Sequence, residues 1–467
     1  MKTFPFGMTV GRIAIGLAAC LVGSVTSAHA AEQRPNIVFI LADDLGWADI
    51  GYHDSEIDTP HLDELAAGGV RLEQHYVYPT CSPSRVALLT GCNPSRFGVT
   101  NPLADQSPVP RDAMHLVGGL NELGYTTHIV GKWHIGAEPG VRPLDYGFDT
   151  SYGYLRGQID PYTHYYKSGA PTWHRNDQII EQAGRNDPGH VTDLITDEAV
   201  RIIKASGKQD EGETTRHPFF LYVTYSVPHY PLAESPEWVD RYDDRIENVW
   251  RKLFAASVTH MDAGIGQIVD ELERLDLRDE TLIIFTSDNG GQKAWNAREN
   301  LYNGRYPPHT ALGNNEPLRG WKTTLYEGGI RVPALANWPG VLESGTVVET
   351  PVHIYDWAPT LINLAGGEAD PAWKLDGRNI WPLLTEGPQK SPQRTFYWDL
   401  RRSGALRRGD WKLIVHREGE NELFNIAKDP AEHTDLAEKH PERVAELAAM
   451  LRRASERSSP DPTIPNY

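Results

Sequence analysis

The stretch Asn36-Ile37-Val38-Phe39-Ile40-Leu41-Ala42 is an apolar run that stops abruptly at Asp43 and Asp44. A continuous apolar run of this length is typical of a strand that helices cover on both faces. Later runs follow the same design, because each ends at polar side chains: residues 125–130 end at Gly131-Lys132-Trp133-His134, residues 219–226 at Pro228-His229, and residues 281–287 at Asp288-Asn289. The chain therefore repeats a buried strand that ends in reactive groups.

Helical stretches lie between these strands. Thr59-Pro60 fits a helix N-cap followed by proline at the first helical position, and Gly68-Gly69 closes that helix. Alternating strands and helices predict an α/β fold with a mixed, mostly parallel sheet between helices. Ligands of such folds collect beyond the carboxyl ends of the strands, so we expect the four polar strand ends to converge on one pocket.

The C-terminal part of the sequence has a different pattern of polar and apolar residues. Pro388 and Pro392 lie in a polar stretch, and short apolar runs at 411–415 and 422–425 precede a charged helix from about Pro441. We interpret this part as a small α+β subdomain with an antiparallel sheet. The predicted organisation is a catalytic domain over residues 31–385 and a C-terminal subdomain over residues 386–467.

Residues 1–30 predict an export signal. Lys2 and Arg12 precede the apolar run 13–25, and Ala28-His29-Ala30 matches a signal cleavage site, so the expected location is periplasmic or secreted. An alternative interpretation is a lipoprotein acylated at Cys20. The apolar run is shorter than the roughly 20 residues that cross a bilayer, so we expect no transmembrane segment.

The overall charge limits the possible partners. The chain has 63 acidic and 45 basic residues, which gives a formal net charge of -18. A broad basic face is not expected, so nucleic acid is not a predicted partner. A polyanionic substrate would require positive charge that is concentrated locally. Beyond the signal only Cys81 and Cys92 remain, too few for a disulfide scaffold.

The segment Cys81-Ser82-Pro83-Ser84-Arg85 opens an apolar helix that closes at Gly91. Pro83 suits a first helical turn, so Cys81 should lie just ahead of the helix N-terminus, where free N–H groups favour an anion. Arg85 could return over the same helix end and add a fixed positive charge. The alternative is a cysteine that merely packs at the start of a helix.

Two pairs of oxygen donors, Asp43-Asp44 and Asp288-Asn289, indicate a site for a hard cation, because neither pair includes a histidine or a thiolate. Each pair taken alone could instead serve turn formation or helix capping. Both pairs follow strands, which favours the metal site.

The motif C-x-P-x-R, followed by an apolar run and Thr90-Gly91, resembles the signature of the type I sulfatases. Further blocks are similar to sulfatase blocks and occur in the family's order, at residues 43–47, 59–63, 131–136, 287–291, 318–322 and 327–333. The resemblance implies an alkaline-phosphatase-like fold and a sulfuric ester hydrolase. It also implies that a formylglycine-generating enzyme oxidises Cys81 to 3-oxoalanine (formylglycine).

The functional residues of that family have matches in this sequence. The ligands of one calcium ion are matched by Asp43, Asp44, Cys81, Asp288 and Asn289. The catalytic residues are matched by Cys81, Arg85, Lys132, His134, His229 and Lys322. In the mechanism that the resemblance implies, a hydroxyl of the hydrated aldehyde attacks sulfur and His229 protonates the leaving oxygen. His134 then removes the proton whose loss releases sulfate.

Within the family the chain most resembles arylsulfatase B, the N-acetylgalactosamine 4-sulfatase, at residues 147–150, 152–155 and 375–377. The expected substrate is a sulfated sugar, in a sulfated polysaccharide or a glycosaminoglycan fragment. Side chains in two loops look suited to sugar rings: Tyr162, His164, Tyr165, Tyr166, Trp295, Tyr302, Arg305, Tyr306 and His309. The stretch 291–315 is longer than the arylsulfatase B pattern and could reshape the leaving-group subsite.

Two other functions fit part of the pattern. A phosphate-ester hydrolase of the alkaline phosphatase superfamily would share the fold, but it should carry serine or threonine at position 81 and more histidine ligands. A catalytically idle carbohydrate-binding relative should lack catalytic residues, whereas none of the expected ones is missing here. Cys92 departs from the arginine expected after Thr90-Gly91, and we interpret it as structural.

Overall fold

A computed structural model describes Met1 and residues 34–458, except 208–216, 297–300, 388–392, 402 and 417–418. The predicted export signal, its cleavage site and Cys20 therefore lie outside the described residues. Within the described ranges, no helix is both long and apolar enough to cross a membrane.

The strands of the described residues form three sheets. Their bounds are β1 Asn36–Ala42, β2 Val70–Leu72, β3 His75–Tyr76, β4 Thr126–Lys132, β5 Thr150–Tyr154, β6 Trp173–Arg175, β7 Gln178–Ile179, β8 Phe219–Thr224, β9 Thr281–Ser287, β10 Arg331–Val332, β11 Ala334–Asn337, β12 Thr346–Val348, β13 Val352–His353, β14 Thr395–Leu400, β15 Ser403–Arg408, β16 Trp411–Val415 and β17 Glu422–Asn425. A ten-stranded sheet has the order β12-β2-β11-β9-β1-β8-β4-β5-β6-β7, and a three-stranded sheet has the order β10-β3-β13.

The centre of the ten-stranded sheet is parallel. Strands β9, β1, β8, β4 and β5 all pair in parallel, whereas β11, β6 and β7 pair antiparallel nearer the edges. The predicted mixed, mostly parallel sheet is therefore confirmed.

Helices cover both faces of this sheet. The α-helices of the described residues are α1 Pro60–Ala67, α2 Cys81–Thr90, α3 His115–Glu122, α4 Ala183–Asn186, α5 Val191–Ser206, α6 Pro236–Val239, α7 Val249–Arg274, α8 Glu327–Ile330, α9 Trp357–Leu364, α10 Trp381–Glu386 and α11 Pro441–Ser455. Helices α2, α3 and α9 share one core with Ile37, Phe39 and Leu41, and α1, α5 and α7 share the other with Val38 and Ile40. Strand β1 is apolar throughout because its side chains alternate between two cores.

Helix α1 begins where the sequence predicts, but another helix caps it. Thr59 occupies the N-cap position, yet its side chain makes no capping hydrogen bond. Instead, the carboxylate of Asp262 on α7 accepts the N–H groups of His61 at 3.1 Å and Leu62 at 2.8 Å. A carboxylate at this place satisfies free N–H groups and interacts favourably with the helix dipole. This contact joins residues about 200 positions apart, which a local sequence pattern cannot reveal.

Strands β14 to β17 form the predicted antiparallel sheet, and α11 packs on it through Leu447 and Leu451. The fully buried Lys412 on β16 pairs with Glu327 at 2.9 Å and with Glu432 at 2.8 Å. Glu327 begins α8, so these ion pairs connect strand β16 of the C-terminal sheet to helix α8. Helix α10 ends at Glu386 and β14 starts at Thr395, and a domain boundary after residue 385 stays a prediction.

Candidate active site

The carboxyl ends of β1 and β9 bring four oxygen donors together. The two strands pair in parallel with Ala42 opposite Ser287, so the residues that follow, Asp43-Asp44 and Asp288-Asn289, lie side by side. All four side chains are buried. The two sequence-predicted pairs therefore occupy one edge of the sheet, as expected for the carboxyl ends of parallel strands.

Cys81 is the first residue of α2, one position further into the helix than the sequence suggested. Its Sγ lies 3.6 Å from Oδ1 of Asp43, and the side chain is buried. Burial, together with the nearby Asp288 carboxylate, raises the pKa of the Cys81 thiol to about 12. The thiol is therefore protonated at neutral pH, and it is a poor nucleophile in this form. Cys92 is also buried and forms no disulfide with Cys81.

Three cations each face one carboxylate around Cys81. Arg85 pairs with Asp288 at 2.8 Å, Lys132 with Asp43 at 2.6 Å, and Lys322 with Asp44 at 2.6 Å. Arg85 is held by this pairing with Asp288, and a further nitrogen of Arg85 donates to the Lys132 carbonyl at 2.8 Å. Its expected role at the N-terminus of α2 stays a prediction. The arrangement holds fixed positive charge in a buried place, where an anion would be stabilised.

The buried oxygen donors fit a divalent cation. Oδ1 of Asn289 is buried and has no hydrogen-bond partner in the described structure, while its Nδ2 donates to Asp44 at 2.7 Å. Burial raises the pKa of Asp43 to about 7, because Lys132 offsets only part of the desolvation. Asp43, Asp44, Cys81 and His229 offer ligand atoms that all lie within 4.8 Å of one another. Carboxylate and amide oxygens are donors that suit a hard cation such as calcium.

The two sequence-predicted histidines lie beside this cluster. His134 follows β4, and burial together with Lys132 and Arg85 holds its pKa well below the usual range. His229 follows β8, and burial and Lys322 lower its pKa in the same way. Nδ1 of His229 lies 2.6 Å from the Tyr230 carbonyl oxygen, and its Nε2 lies 3.8 Å from Asp44. The carbonyl fixes the proton on Nδ1 and leaves Nε2 directed toward the cluster.

A cavity of about 710 Å³ opens above the cluster. Cys81, His134, His229 and Lys322 line it, whereas Arg85, Lys132 and the four oxygen donors lie buried around its base. Every residue that the sequence analysis assigned to catalysis or to the metal is therefore part of one arrangement. The sequence analysis missed further residues of the cavity wall, among them Gln158, Lys167, Tyr230, Gln292, Lys293 and Trp321.

The loops that looked suited to sugar rings are only partly available. Tyr166 lines the cavity, whereas Trp295, Tyr302, Tyr306 and His309 are buried. Trp295 stacks on Tyr230 with ring centroids 4.6 Å apart, and Arg305 pairs with Asp160 at 2.8 Å. The four residues Trp295, Tyr302, Tyr306 and His309 are therefore largely unavailable to a sugar. The first loop, with Tyr162, Tyr165 and Tyr166 at least partly exposed, stays a predicted sugar-binding surface. Tyr230 and Trp321 also present partly exposed rings to the cavity.

Comparisons with known proteins agree with this site. Residues 35–367 match the family model "Sulfatase", and residues 319–458 match "N-sulphoglucosamine sulphohydrolase, C-terminal". The chain is 34% identical to mouse arylsulfatase J over 91% of this chain and 76% of the relative. It is 33% identical to human N-acetylgalactosamine-6-sulfatase over 77% of this chain and 67% of the relative.

A solved structure has the same fold. The crystal structure of Ps i-CgsB in complex with k-i-k-neocarrahexaose superposes with a TM-score of 0.81 at 31% identity, and the match covers 92% of this chain and 94% of that one. These relatives do not confirm the expected likeness to a 4-sulfatase, because one of them is named as a 6-sulfatase. Since the sulfatase family model spans the catalytic sheet and all of the strand ends that build the site, the chain belongs to the sulfatase family.

Proposed function

We propose that this sulfatase removes sulfate from a sulfated sugar, with residue 81 as the nucleophile after oxidation of Cys81 to formylglycine. The observation that supports this most directly is the position of Cys81, 3.6 Å from Asp43 and among three buried cations. Hydrolysis of a sulfate ester needs positive charge at the nonbridging oxygens and a proton for the leaving oxygen. The cations and the two histidines offer these groups.

Two groups that the family implies would complete the site. Calcium, held by Asp43, Asp44, Asp288 and Asn289, would draw charge from the sulfate oxygens, and the hydrated aldehyde of residue 81 would supply a hydroxyl nucleophile. The raised pKa of the unmodified thiol supports the need for this oxidation. The enzyme that generates formylglycine is therefore a proposed partner.

The chain's own residues then have distinct tasks. Lys132 and Lys322 bind sulfate oxygens, and Arg85, which is held by Asp288, keeps a positive charge close to residue 81. His229 directs Nε2 toward the cavity, and uptake of a proton there, which a bound anionic sulfate ester would favour, would supply the proton for the leaving oxygen of the sugar. His134 also lines the cavity, beside residue 81, and would act there as the proton acceptor for a hydroxyl of that residue.

The substrate class is proposed from both the cavity and the relatives. Partly exposed aromatic rings of Tyr166, Tyr230 and Trp321 suit the faces of sugar rings. The solved relative was crystallised with a neocarrahexaose, and a curated relative is an N-acetylgalactosamine-6-sulfatase. We therefore propose a sulfated polysaccharide or glycosaminoglycan fragment, with 4-sulfated and 6-sulfated N-acetylgalactosamine as the first substrates to compare. We also propose that the enzyme is exported, with its substrate outside the cytoplasm.

A paired assay tests this function. The protein, expressed with a formylglycine-generating enzyme, is given matched nitrophenyl sulfate and nitrophenyl phosphate and a panel of sulfated disaccharides. We expect release of sulfate and a preference for at least one disaccharide over the aryl ester. Faster release of phosphate would support the phosphate-ester hydrolase, and saccharide binding without any turnover would support the catalytically idle relative.

A further inference from the structure

The wall of the active-site cavity is positive, although the whole chain has a net charge of -18. Three lysines are among its described lining residues, namely Lys167, Lys293 and Lys322, and none of the described lining residues is an aspartate or a glutamate. A positively charged cavity attracts anions even when the protein as a whole is acidic. The charge of the wall therefore carries information about the substrate.

We use the name sulfate centre for Cys81 with its three surrounding ion pairs, Arg85–Asp288, Lys132–Asp43 and Lys322–Asp44, and the adjacent Asn289, His134 and His229. Only one of the three lining lysines belongs to it. Lys322 pairs with Asp44, as described above. For Lys167 and Lys293, no carboxylate of the described residues lies within 4.0 Å of the ammonium group. The sulfate centre already balances three carboxylates with three cations, and a bound calcium ion would add further positive charge. A sugar with a single sulfate therefore has no need of Lys167 and Lys293.

Lys167 and Lys293 each lie near an aromatic ring, and the backbone carbonyl of each accepts a hydrogen bond. Nζ of Lys167 lies 5.3 Å from the ring centroid of Tyr166, and Nζ of Lys293 lies 5.9 Å from that of Trp321. Both rings line the same cavity. The backbone carbonyl of Lys167 accepts the N–H of Tyr302 at 3.0 Å, and that of Lys293 accepts the N–H of Leu312 at 3.1 Å. Backbone hydrogen bonds from Tyr302 and Leu312 thus help to hold the main chain of both lysines at the wall.

We propose that Lys167 and Lys293 form a second anion subsite, which binds a sulfate or a carboxylate on a sugar next to the one that loses its sulfate. This inference rests on the proposed function, because it needs a sulfated sugar at residue 81. The preferred substrate class is then an oligosaccharide with at least two anionic groups. The partly exposed rings of Tyr166 and Trp321 contact the sugars that carry those groups.

The test compares two substrates and four proteins. The substrates are a disaccharide with two sulfates and the matched disaccharide with one. The proteins are the parent, Lys167→Gln, Lys293→Gln and the double variant, all expressed with a formylglycine-generating enzyme. The parent should prefer the doubly sulfated substrate in kcat/KM. That preference should fall about fivefold in each single variant and about twentyfold in the double variant, mostly through KM, because these are partly exposed charge contacts.

Three controls separate charge from folding and from catalysis. Lys428→Gln removes an exposed lysine outside the cavity and should leave the preference unchanged. Lys167→Arg and Lys293→Arg keep the charge and should retain most of the preference. The lysine-to-glutamine variants are also made in a Cys81→Ala background, which abolishes turnover. There they should weaken calorimetric binding of the doubly sulfated disaccharide by the same factors, and the remaining binding should lose much of its salt dependence.

The identity of the second anion is decided by a parallel arm with a disaccharide that carries one sulfate and one uronate. A fall in preference on the disulfated substrate alone identifies sulfate, and a fall on the uronate substrate alone identifies carboxylate. If the variants lost the same factor in kcat/KM on singly and doubly charged substrates, the second subsite would be overturned and the proposed function would remain intact. A parent that releases no sulfate from any ester would instead contradict the proposed function, and the Cys81→Ala binding data would still decide the subsite.

Discussion

Arg85 donates two hydrogen bonds to one oxygen of Asp288, from Nε at 3.0 Å and from Nη2 at 2.8 Å, and both side chains are completely buried. A third hydrogen bond runs from Nη1 to the carbonyl of Lys132 at 2.8 Å. The arginine therefore joins the N-terminal half of α2 to the carboxyl ends of β9 and β4. The position of residue 81 relative to the oxygen donors depends on this link.

Breaking the buried pair should be costly. Arg85→Met keeps much of the side-chain volume but leaves the Asp288 carboxylate buried without its partner. We expect the free energy of unfolding to fall by about 3–5 kcal/mol in urea denaturation. Arg245→Met, which breaks an exposed pair with Asp58, should cost less than about 1 kcal/mol. If both variants lost the same free energy of unfolding, the larger cost predicted for breaking the buried pair would be contradicted.

A divalent cation should stabilise the folded chain. If Asp43, Asp44, Asp288 and Asn289 hold calcium, its addition after chelation with EGTA should raise the Tm. At a free concentration one hundred times the Kd the gain is about 2.7 kcal/mol. Asn289→Leu should reduce this response, and Asp279→Asn, at an exposed position, should not. The same Tm with chelator and with calcium would argue against the metal site.

Stability should also decline at alkaline pH because of His260. Burial alone would lower its pKa, but hydrogen bonds to Asp193 and Glu234, both 2.8 Å long, raise the pKa from 6.5 to about 9. Since the folded value is the higher one, the stabilisation is complete below pH 6.5 and is lost as the pH rises through about 9. The full contribution is about 3 kcal/mol.

Chemical denaturation across this pH range measures the effect. His260→Gln should remove most of the decline in unfolding free energy between neutral pH and pH 10, whereas His433→Gln, at an exposed position, should leave it in place. A parent protein whose stability does not change over this range would contradict the assignment of a charged His260.

A glycine at the end of β4 tests the close packing of the strands. Gly131 has φ of +110°, and a Cβ there would lie 1.9 Å from the Thr224 carbonyl oxygen of β8. Gly131→Ala should therefore cost more than about 3 kcal/mol and should lower the yield of folded protein. Gly118→Ala is the matched control, because Gly118 lies in α3 with no atom within 4 Å of the added methyl group. That change should stabilise the protein by about 0.5–1 kcal/mol in thermal denaturation.

The residues of the sulfate centre could be predicted because their signals are local. Most of them lie within two residues of the end of a buried strand or in the first turns of a helix, and the carboxyl ends of parallel strands necessarily share one edge of the sheet. Asp43 and Asp288 meet for this reason, although 245 positions separate them in sequence. His229, five residues beyond β8, and Lys322, in the stretch between β9 and α8, were found through the resemblance to the sulfatases. The resemblance to the sulfatases then gave each residue a chemical role.

The remaining features depend on contacts that a sequence pattern does not encode. Trp295 and Tyr302 look like ligands for sugar rings in the sequence, but the structure buries both, with Trp295 stacked on Tyr230 and Tyr302 hydrogen-bonded to Gln158. Lys293 looks like an ordinary surface lysine, and only the tertiary structure brings it to the same cavity as Lys167. Asp262 likewise caps α1 from a distant helix.

The central claim is that residue 81 acts as an aldehyde rather than as a thiol. Peptide mass spectrometry of the segment that contains residue 81, from enzyme shown to be active, tests this claim most directly. We predict that the segment carries formylglycine, that a hydrazide reagent labels it, and that Cys81→Ala abolishes both labelling and turnover. Full activity in enzyme whose Cys81 is an unaltered thiol would contradict the account.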